Sequence, residues 1–145
     1  MFGKKVSQAE DKYSNNNIIA EGVNIEGRIY SPRPIQIDGR VVGEIISKKE
    51  LVIGKEGKVR ANIKAKNAII EGDVTGNIIS SGEVRITSTG KMTGNIIQRD
   101  ISLIIDDGGL FKGKNIIVYN TEIFKINNDK KISGIKIKPK KILEY

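Results

Sequence analysis

Residues Val74–Ile79 read VTGNII, and nearly the same six letters, MTGNII, return at Met92–Ile97. Looser copies begin at Val41 and Val59 with the same order: apolar, any, small, polar, isoleucine. A further copy, Phe111–Ile116, reads as carrying one extra residue. The isoleucines that close the copies stand at positions 29, 45, 63, 78, 96 and 116. The chain is therefore built from a repeat of 15 to 20 residues.

Each copy is preceded by a short stretch in which apolar residues alternate with other types, as in Ile35/Ile37 and Leu51/Ile53. Alternation with a period of two is typical of a half-buried strand. The unit is too short for a strand–helix–strand crossover, which needs about 30 residues. It fits one winding of a single-stranded parallel β-helix of about six windings. A meandering β-sandwich is disfavoured, since it requires no Gly-Asn-Ile-Ile at near-constant spacing.

The composition agrees with an all-β chain. There are 28 Ile and 9 Val but only 4 Leu and 5 Ala among the 145 residues. β-Branched side chains lose rotamer freedom in a helix and fit a pleated sheet. Fourteen of the 16 glycines lie between Gly22 and Gly113, where they would form sharp corners. We also expect asparagines 62, 77, 95 and 115 to form a ladder along one corner.

The absent residue types exclude much chemistry. The chain has no Cys and no His, which excludes a thiolate nucleophile, a histidine base and histidine- or cysteine-bound zinc. We therefore expect no enzyme, no catalytic residue and no cofactor. Acidic residues recur near equivalent corners and could form a cation-binding column, but solvated turns explain them better, and we assign no metal: Glu26, Asp38, Glu71, Asp106 and Asp107.

Two flanks differ from the repetitive body. We divide the chain into a flexible N-terminal tail, 1–17, a β-helical core, 18–118, and a Lys/Ile-rich C-terminal tail, 119–145. The C-terminal tail is either disordered or adds a strand across the end of the rod. We find no signal peptide and no apolar run of the roughly 20 residues that span a bilayer. The sequence therefore predicts a cytoplasmic protein.

Three runs in the core resemble the bactofilins, a family of bacterial cytoskeletal proteins. They are Ile37–Ile45 (IDGRVVGEI), Leu51–Val59 (LVIGKEGKV) and Ile70–Ile78 (IEGDVTGNI), and the resemblance extends over residues 18 to 118. It implies a right-handed, triangular β-helix that polymerises end to end without nucleotide. The absence of a Gly-x-x-x-x-Gly-Lys-Ser/Thr phosphate loop agrees with this.

The resemblance also implies where subunits meet. Bactofilins have a phenylalanine near the last winding at the subunit contact, and Phe111-Lys112-Gly113 matches that motif. Phe111 also continues the core column of Val41, Val59 and Val74. The predicted polymerisation interface comprises five residues at the two ends of the rod: Phe111, Leu110, Ile18, Ile19 and Val23.

The first residues are an apolar pair followed by two cations. Many bactofilins bind membranes through a short N-terminus, and Met1, Phe2, Lys4 and Lys5 look like such a segment. A solvated, disordered start is the alternative. The expected location is cytoplasmic, peripheral at the inner membrane. The expected partners are other copies of the chain, the membrane surface, and envelope or cell-wall proteins whose assembly the filaments would organise.

Other functions are less well supported by the sequence. The Lys-rich tail, 130–141, is either a solvated segment or binds an anionic surface, so a monomeric adaptor is the alternative function. Nucleic acid is the weaker partner, because stacking aromatics are few and no binding motif is present. Enzymes on left-handed β-helices need histidines and a strict six-residue repeat. Extracellular polysaccharide-binding β-helices need a secretion signal.

Overall fold

The computed structural model describes residues 17–119, 122–126 and 138–145. These residues form eleven strands and one 3₁₀ turn, Glu122–Phe124. The strands are β1 (Asn17–Ile19), β2 (Asn24–Ser31), β3 (Ile35–Ile37), β4 (Arg40–Ile53), β5 (Lys58–Ile70), β6 (Asp73–Ser80), β7 (Val84–Ile86), β8 (Lys91–Gln98), β9 (Leu103–Ile105), β10 (Leu110–Val118) and β11 (Pro139–Glu144).

The strands wind into a parallel β-solenoid of about six turns over residues 17–117. Long strands stack in the order β2, β4, β5, β6, β8, β10. The short strands β1, β3, β7 and β9 stack in the same way with the last residues of β4 and β5. All of these pairs are parallel, because each winding runs in the same direction as the one before it. The predicted all-β, parallel architecture is confirmed.

Equivalent apolar residues stack in columns through the interior. One column contains the repeat isoleucines at positions 29, 45, 63, 78 and 96, as the spacing predicted. A second runs through Val41, Val59, Val74 and Met92 to Phe111. The members of these columns in the inner windings are buried, with 0–2% of their surface exposed. This buried stack is the main apolar core of the rod.

The last winding departs from the predicted alignment. Gly113 pairs with Gly94, and Asn115 pairs with Ile96, so this copy contains no extra residue. Asn115 therefore occupies the isoleucine column, and Ile116 lies one position beyond it. The prediction that Asn115 extends the asparagine ladder is wrong. Asn77 does donate a hydrogen bond to the Asn62 side chain, at 3.4 Å.

Glycine is required where the long strands bend. Gly43, Gly76, Gly94 and Gly113 have φ between 132° and 149°, a region that L-residues with side chains rarely adopt. A Cβ atom at any of them would overlap the carbonyl oxygen of the residue stacked in the preceding winding. These glycines thus mark the positions where successive windings approach too closely for a side chain.

A second apolar cluster lies on the outside of the rod. In four windings, the residue after the isoleucine-column position is an isoleucine that faces outward, because successive strand residues face opposite sides. These residues are Ile46, Ile79, Ile97 and Ile116. Ile123 and Phe124 of the 3₁₀ turn belong to this cluster and are buried with it. The C-terminal tail, predicted as flexible or as an added strand, thus packs on the flank at residues 122–126 and forms β11 at 139–144.

Candidate self-assembly surfaces at the two tips

The apolar columns that are closed inside the rod are open at its N-terminal tip, formed by β1 and β2. Val41 and Ile45 are fully buried, whereas Ile25 and Ile29, which stack directly on them, are half-buried. No winding among the described residues covers these side chains. The tip therefore presents the cross-section of a core, with apolar groups that a further layer would remove from water.

The N-terminal residues expected from the sequence lie at this tip. Ile18 is 65% exposed and Val23 is 42% exposed, whereas Ile19 is half-buried against the core. Within the described ranges, β1 pairs only with β3 and β2 only with β4. Each strand thus keeps one edge whose N–H and C=O groups no other described strand uses, and unpaired edges are templates for pairing with another chain.

The C-terminal tip is formed by β9 and β10. Leu110 is 58% exposed. Three apolar side chains of this tip are half-buried and pack against the end of the core: Leu103, Ile105 and Phe111. In the part of the chain that the structure describes, β9 pairs only with β7. The structure thus places Leu110 and Phe111 at the end opposite Ile18, Ile19 and Val23.

Part of this tip is covered by β11. β11 runs antiparallel to β10 and pairs with Lys114–Val118. The Gly113 N–H donates to the Tyr145 carbonyl at 3.3 Å, and the Tyr145 N–H donates to the Gly113 carbonyl at 2.8 Å. Asn115, Ile116, Ile117 and Val118 are buried. Among the strands described, the two tips therefore differ: the edges of β1 and β2 are open at the N-terminal tip, whereas at the C-terminal tip β11 occupies the Gly113–Val118 part of β10 and the edge of β9 stays open.

A buried polar group ends the isoleucine column beneath β11. The Asn115 side-chain amide donates to the Ile96 carbonyl at 3.1 Å and to the Gln98 side-chain oxygen at 3.0 Å. Gln98 in turn donates to the carbonyls of Gly82 and Ser102. The Asn115 Oδ1 atom is buried and has no hydrogen-bond partner. The sequence pattern missed this feature, since Asn115 resembles the outward asparagines.

The recurring acidic residues are spread along the rod. Asp38 accepts a hydrogen bond from Gln36 at 3.0 Å. Asp106 accepts two from Arg85, at 3.0 and 3.1 Å, and this hydrogen bonding raises the pKa of Arg85 above its ordinary value. The described residues contain no group of three or more acidic side chains placed to hold a metal ion. Asp38 and Asp106 thus act as hydrogen-bond acceptors, the first for a neighbouring residue and the second for a residue of the preceding winding.

The expected membrane-binding residues, Met1, Phe2, Lys4 and Lys5, lie outside the described residues. So does most of the Lys-rich tail, although Lys138, Lys140 and Lys141 are described and exposed beside or within β11. No helix in the described ranges has the length and apolar character needed to cross a membrane.

Comparison with known proteins agrees with this geometry. The family model described as "Bactofilin: Polymer-forming cytoskeletal" matches residues 17–115, which is the solenoid up to the last winding. The chain belongs to the bactofilin family. Its core is thus that of a polymer-forming cytoskeletal protein, and the enzyme classes weighed from the sequence do not apply.

A curated relative supports the same assignment over a shorter stretch. Bactofilin BacP of Myxococcus xanthus (strain DK1622) is 36% identical over 56 residues. The match covers 39% of this bactofilin and 23% of BacP, so less than a quarter of that relative is represented. No solved structure matches the chain.

Proposed function

We propose that this bactofilin assembles into filaments by end-to-end contact of its rods, without nucleotide. One observation carries the proposal. Within each apolar column, the members in the inner windings are fully buried, whereas the members at the N-terminal tip, Ile25 and Ile29, are partly exposed. A second rod placed on the N-terminal tip would continue both the strand pairing and the apolar stack, and β9 with the start of β10 offers the same groups at the C-terminal tip.

The charges on the flanks favour end-to-end over side-by-side contact. The outer faces of the long strands bear exposed charges of both signs, such as Lys58, Asp73 and Lys91, which stack on one another in successive windings. A side-by-side contact would have to remove these charges from water, which is costly. The exposed apolar residues Ile18, Val23 and Leu110 lie at the tips instead. A contact along the rod axis would thus bury these apolar side chains.

The test is assembly of the purified full chain without nucleotide. Pelleting by ultracentrifugation and negative-stain electron microscopy should show filaments, with the same critical concentration with and without Mg-ATP or Mg-GTP. A requirement for either nucleotide, or monodisperse particles under all conditions, would refute the proposal. The second result would favour the monomeric adaptor that acts through its basic tail.

We further propose that the filaments lie at the inner face of the membrane and scaffold envelope or cell-wall proteins. Met1 and Phe2 offer a small apolar anchor, and Lys4 and Lys5 each add about 1 kcal/mol near an anionic surface. A single chain would bind weakly through so few groups. A filament that displays many copies would bind through avidity, so membrane binding should depend on assembly.

A further inference from the structure

The strand edge of the last winding is a surface with a single set of hydrogen-bonding groups. The edge runs from Gly113 to Val118, and β11 with Tyr145 occupies it in the structure. Each backbone N–H there can donate to only one strand at a time. A second copy that stacks on this tip by strand pairing therefore competes with β11 for the same groups.

β11 has features that discourage further strand pairing. It begins with Pro139, which has no N–H to offer, and exposes Lys140 and Lys141. Proline and lysine on an edge strand are devices by which proteins discourage further pairing. With β11 in place, the Gly113–Val118 side of the tip is thus a poor template for another chain. Without it, the tip offers the unpaired edge of β10.

β11 is also held by few side-chain contacts. Five of its six residues are exposed, and only Leu143 is half-buried. Besides the backbone pairing, its contacts are the Phe111–Tyr145 ring contact, a 4.0 Å ion pair between exposed Lys114 and Glu144, and Lys140 Nζ 5.8 Å from the centre of the exposed Tyr119 ring. Segments with little buried apolar surface open locally at low free energy while the core stays folded.

We propose that β11 is a displaceable cap on the C-terminal tip, and that the surface beneath it, Gly113–Val118, accepts a second copy of this chain. The proposal rests on the proposed end-to-end assembly. It adds that the two tips are unequal: the N-terminal tip offers open strand edges, whereas at the C-terminal tip the Gly113–Val118 edge is available only when β11 leaves. Release of β11 then limits how fast rods join at that end.

The cap can be locked with a single engineered disulfide. Lys114 and Glu144 are opposite each other in the antiparallel register, next to the doubly hydrogen-bonded Gly113–Tyr145 pair. They therefore form a non-hydrogen-bonded pair, whose Cα separation of about 4.5 Å suits a disulfide. The chain contains no other cysteine, so the variant K114C/E144C forms one defined bond. The same protein after reduction is its matched control.

The opposite variant releases the cap in the full chain. Leu143 pairs with Asn115, two residues from the doubly bonded pair, so its N–H lies on the β10 side. Leu143→Pro removes that donor and weakens β11 without altering the solenoid core. Far-ultraviolet circular dichroism and thermal unfolding check that the core remains folded. Single-cysteine Glu144→Cys, oxidised in parallel, controls for bonds between chains.

We expect oxidised K114C/E144C to assemble at least tenfold more slowly than the reduced protein, and Leu143→Pro to assemble with a shorter lag than the wild type. Light scattering and pelleting measure both. Equal rates for the oxidised and reduced forms would refute the cap, and so would slower assembly of folded Leu143→Pro. If neither the wild type nor Leu143→Pro forms filaments, the proposed assembly itself fails, and the cap with it.

Discussion

The ring of Phe111 in the last winding packs against the ring of Tyr145, the final residue, with centroids 4.8 Å apart and planes tilted by 33°. Phe111 also touches the core cluster. The Phe111 side chain thus contacts both the end of the core and the residue that follows β11. The residue that the family resemblance implies at the subunit contact is, in the structure, in contact with Tyr145.

Replacing Tyr145 by alanine should loosen β11 and leave the core intact. An aromatic pair contributes about 0.5–1.5 kcal/mol beyond its buried area, so opening of β11 should become about two- to tenfold more frequent. Hydrogen exchange of the Gly113–Val118 amides measures this directly. Unchanged exchange at those amides would show that the ring contact does not hold the strand.

Charges placed on the exposed tip residues should block assembly without unfolding the rod. Ile18→Arg and Leu110→Arg change side chains that are 65% and 58% exposed, so they cost little stability, yet each puts a desolvated charge into the proposed contact. Phe111→Arg should also leave a folded, non-polymerising rod, at some cost in stability. Pelleting assays and electron microscopy give the readout.

The matched control for these variants is Thr75→Arg. Thr75 is exposed on the flank of a middle winding, so the substitution adds the same charge away from both tips. Filaments should form normally with this variant. Normal filaments from Ile18→Arg and Leu110→Arg, or their loss in Thr75→Arg, would contradict the tip assignment.

Gly94→Ala should destabilise the protein much more than Gly27→Ala. Both glycines have nearly the same φ, 132° and 134°, so an alanine pays the same backbone strain, about 1–3 kcal/mol. At Gly94 the added Cβ also overlaps the Gly76 carbonyl, whereas at Gly27 nothing lies within 4 Å. Denaturant unfolding compares the two. Equal losses would mean that close stacking of windings does not require glycine.

Removing residues 1–5 should release filaments from anionic vesicles but not prevent assembly. The segment carries Met1, Phe2, Lys4 and Lys5, and its attraction to anionic lipid should weaken as salt screens the lysines. Co-sedimentation with phosphatidylserine-containing and phosphatidylcholine vesicles measures binding. If the shortened chain binds as strongly as the full chain, another segment, such as the Lys-rich tail, is the anchor.

The sequence predicted the solenoid because the structure repeats itself. Inward isoleucines such as Ile63 and Ile78 must recur once per winding, and glycines such as Gly76 and Gly94 must recur where Cβ atoms would collide. These constraints leave visible periodicity. The second isoleucine of each Ile-Ile pair, such as Ile79, also carried information that the periodicity alone did not reveal: it marks an outer column that Phe124 covers.

The features at the C-terminal end break the repeat, so periodicity could not locate them. Asn115 takes an inward position that elsewhere holds isoleucine, and aligning asparagine with asparagine shifts that copy by one residue. The pairing of β11 with β10 is antiparallel and non-repetitive. No local sequence pattern of β11 specifies which strand it pairs with.

The most direct test of end-to-end assembly is diffraction from oriented filaments. Windings in a β-solenoid are spaced by about 4.8 Å along the rod axis, and six windings advance the chain by about 29 Å. If rods join at their tips, the 4.8 Å reflection lies on the meridian, parallel to the filament axis, with a longer axial repeat near 29 Å or a multiple of it. A 4.8 Å reflection on the equator would mean that the rods lie across the filament and associate through their flanks, which would contradict the account.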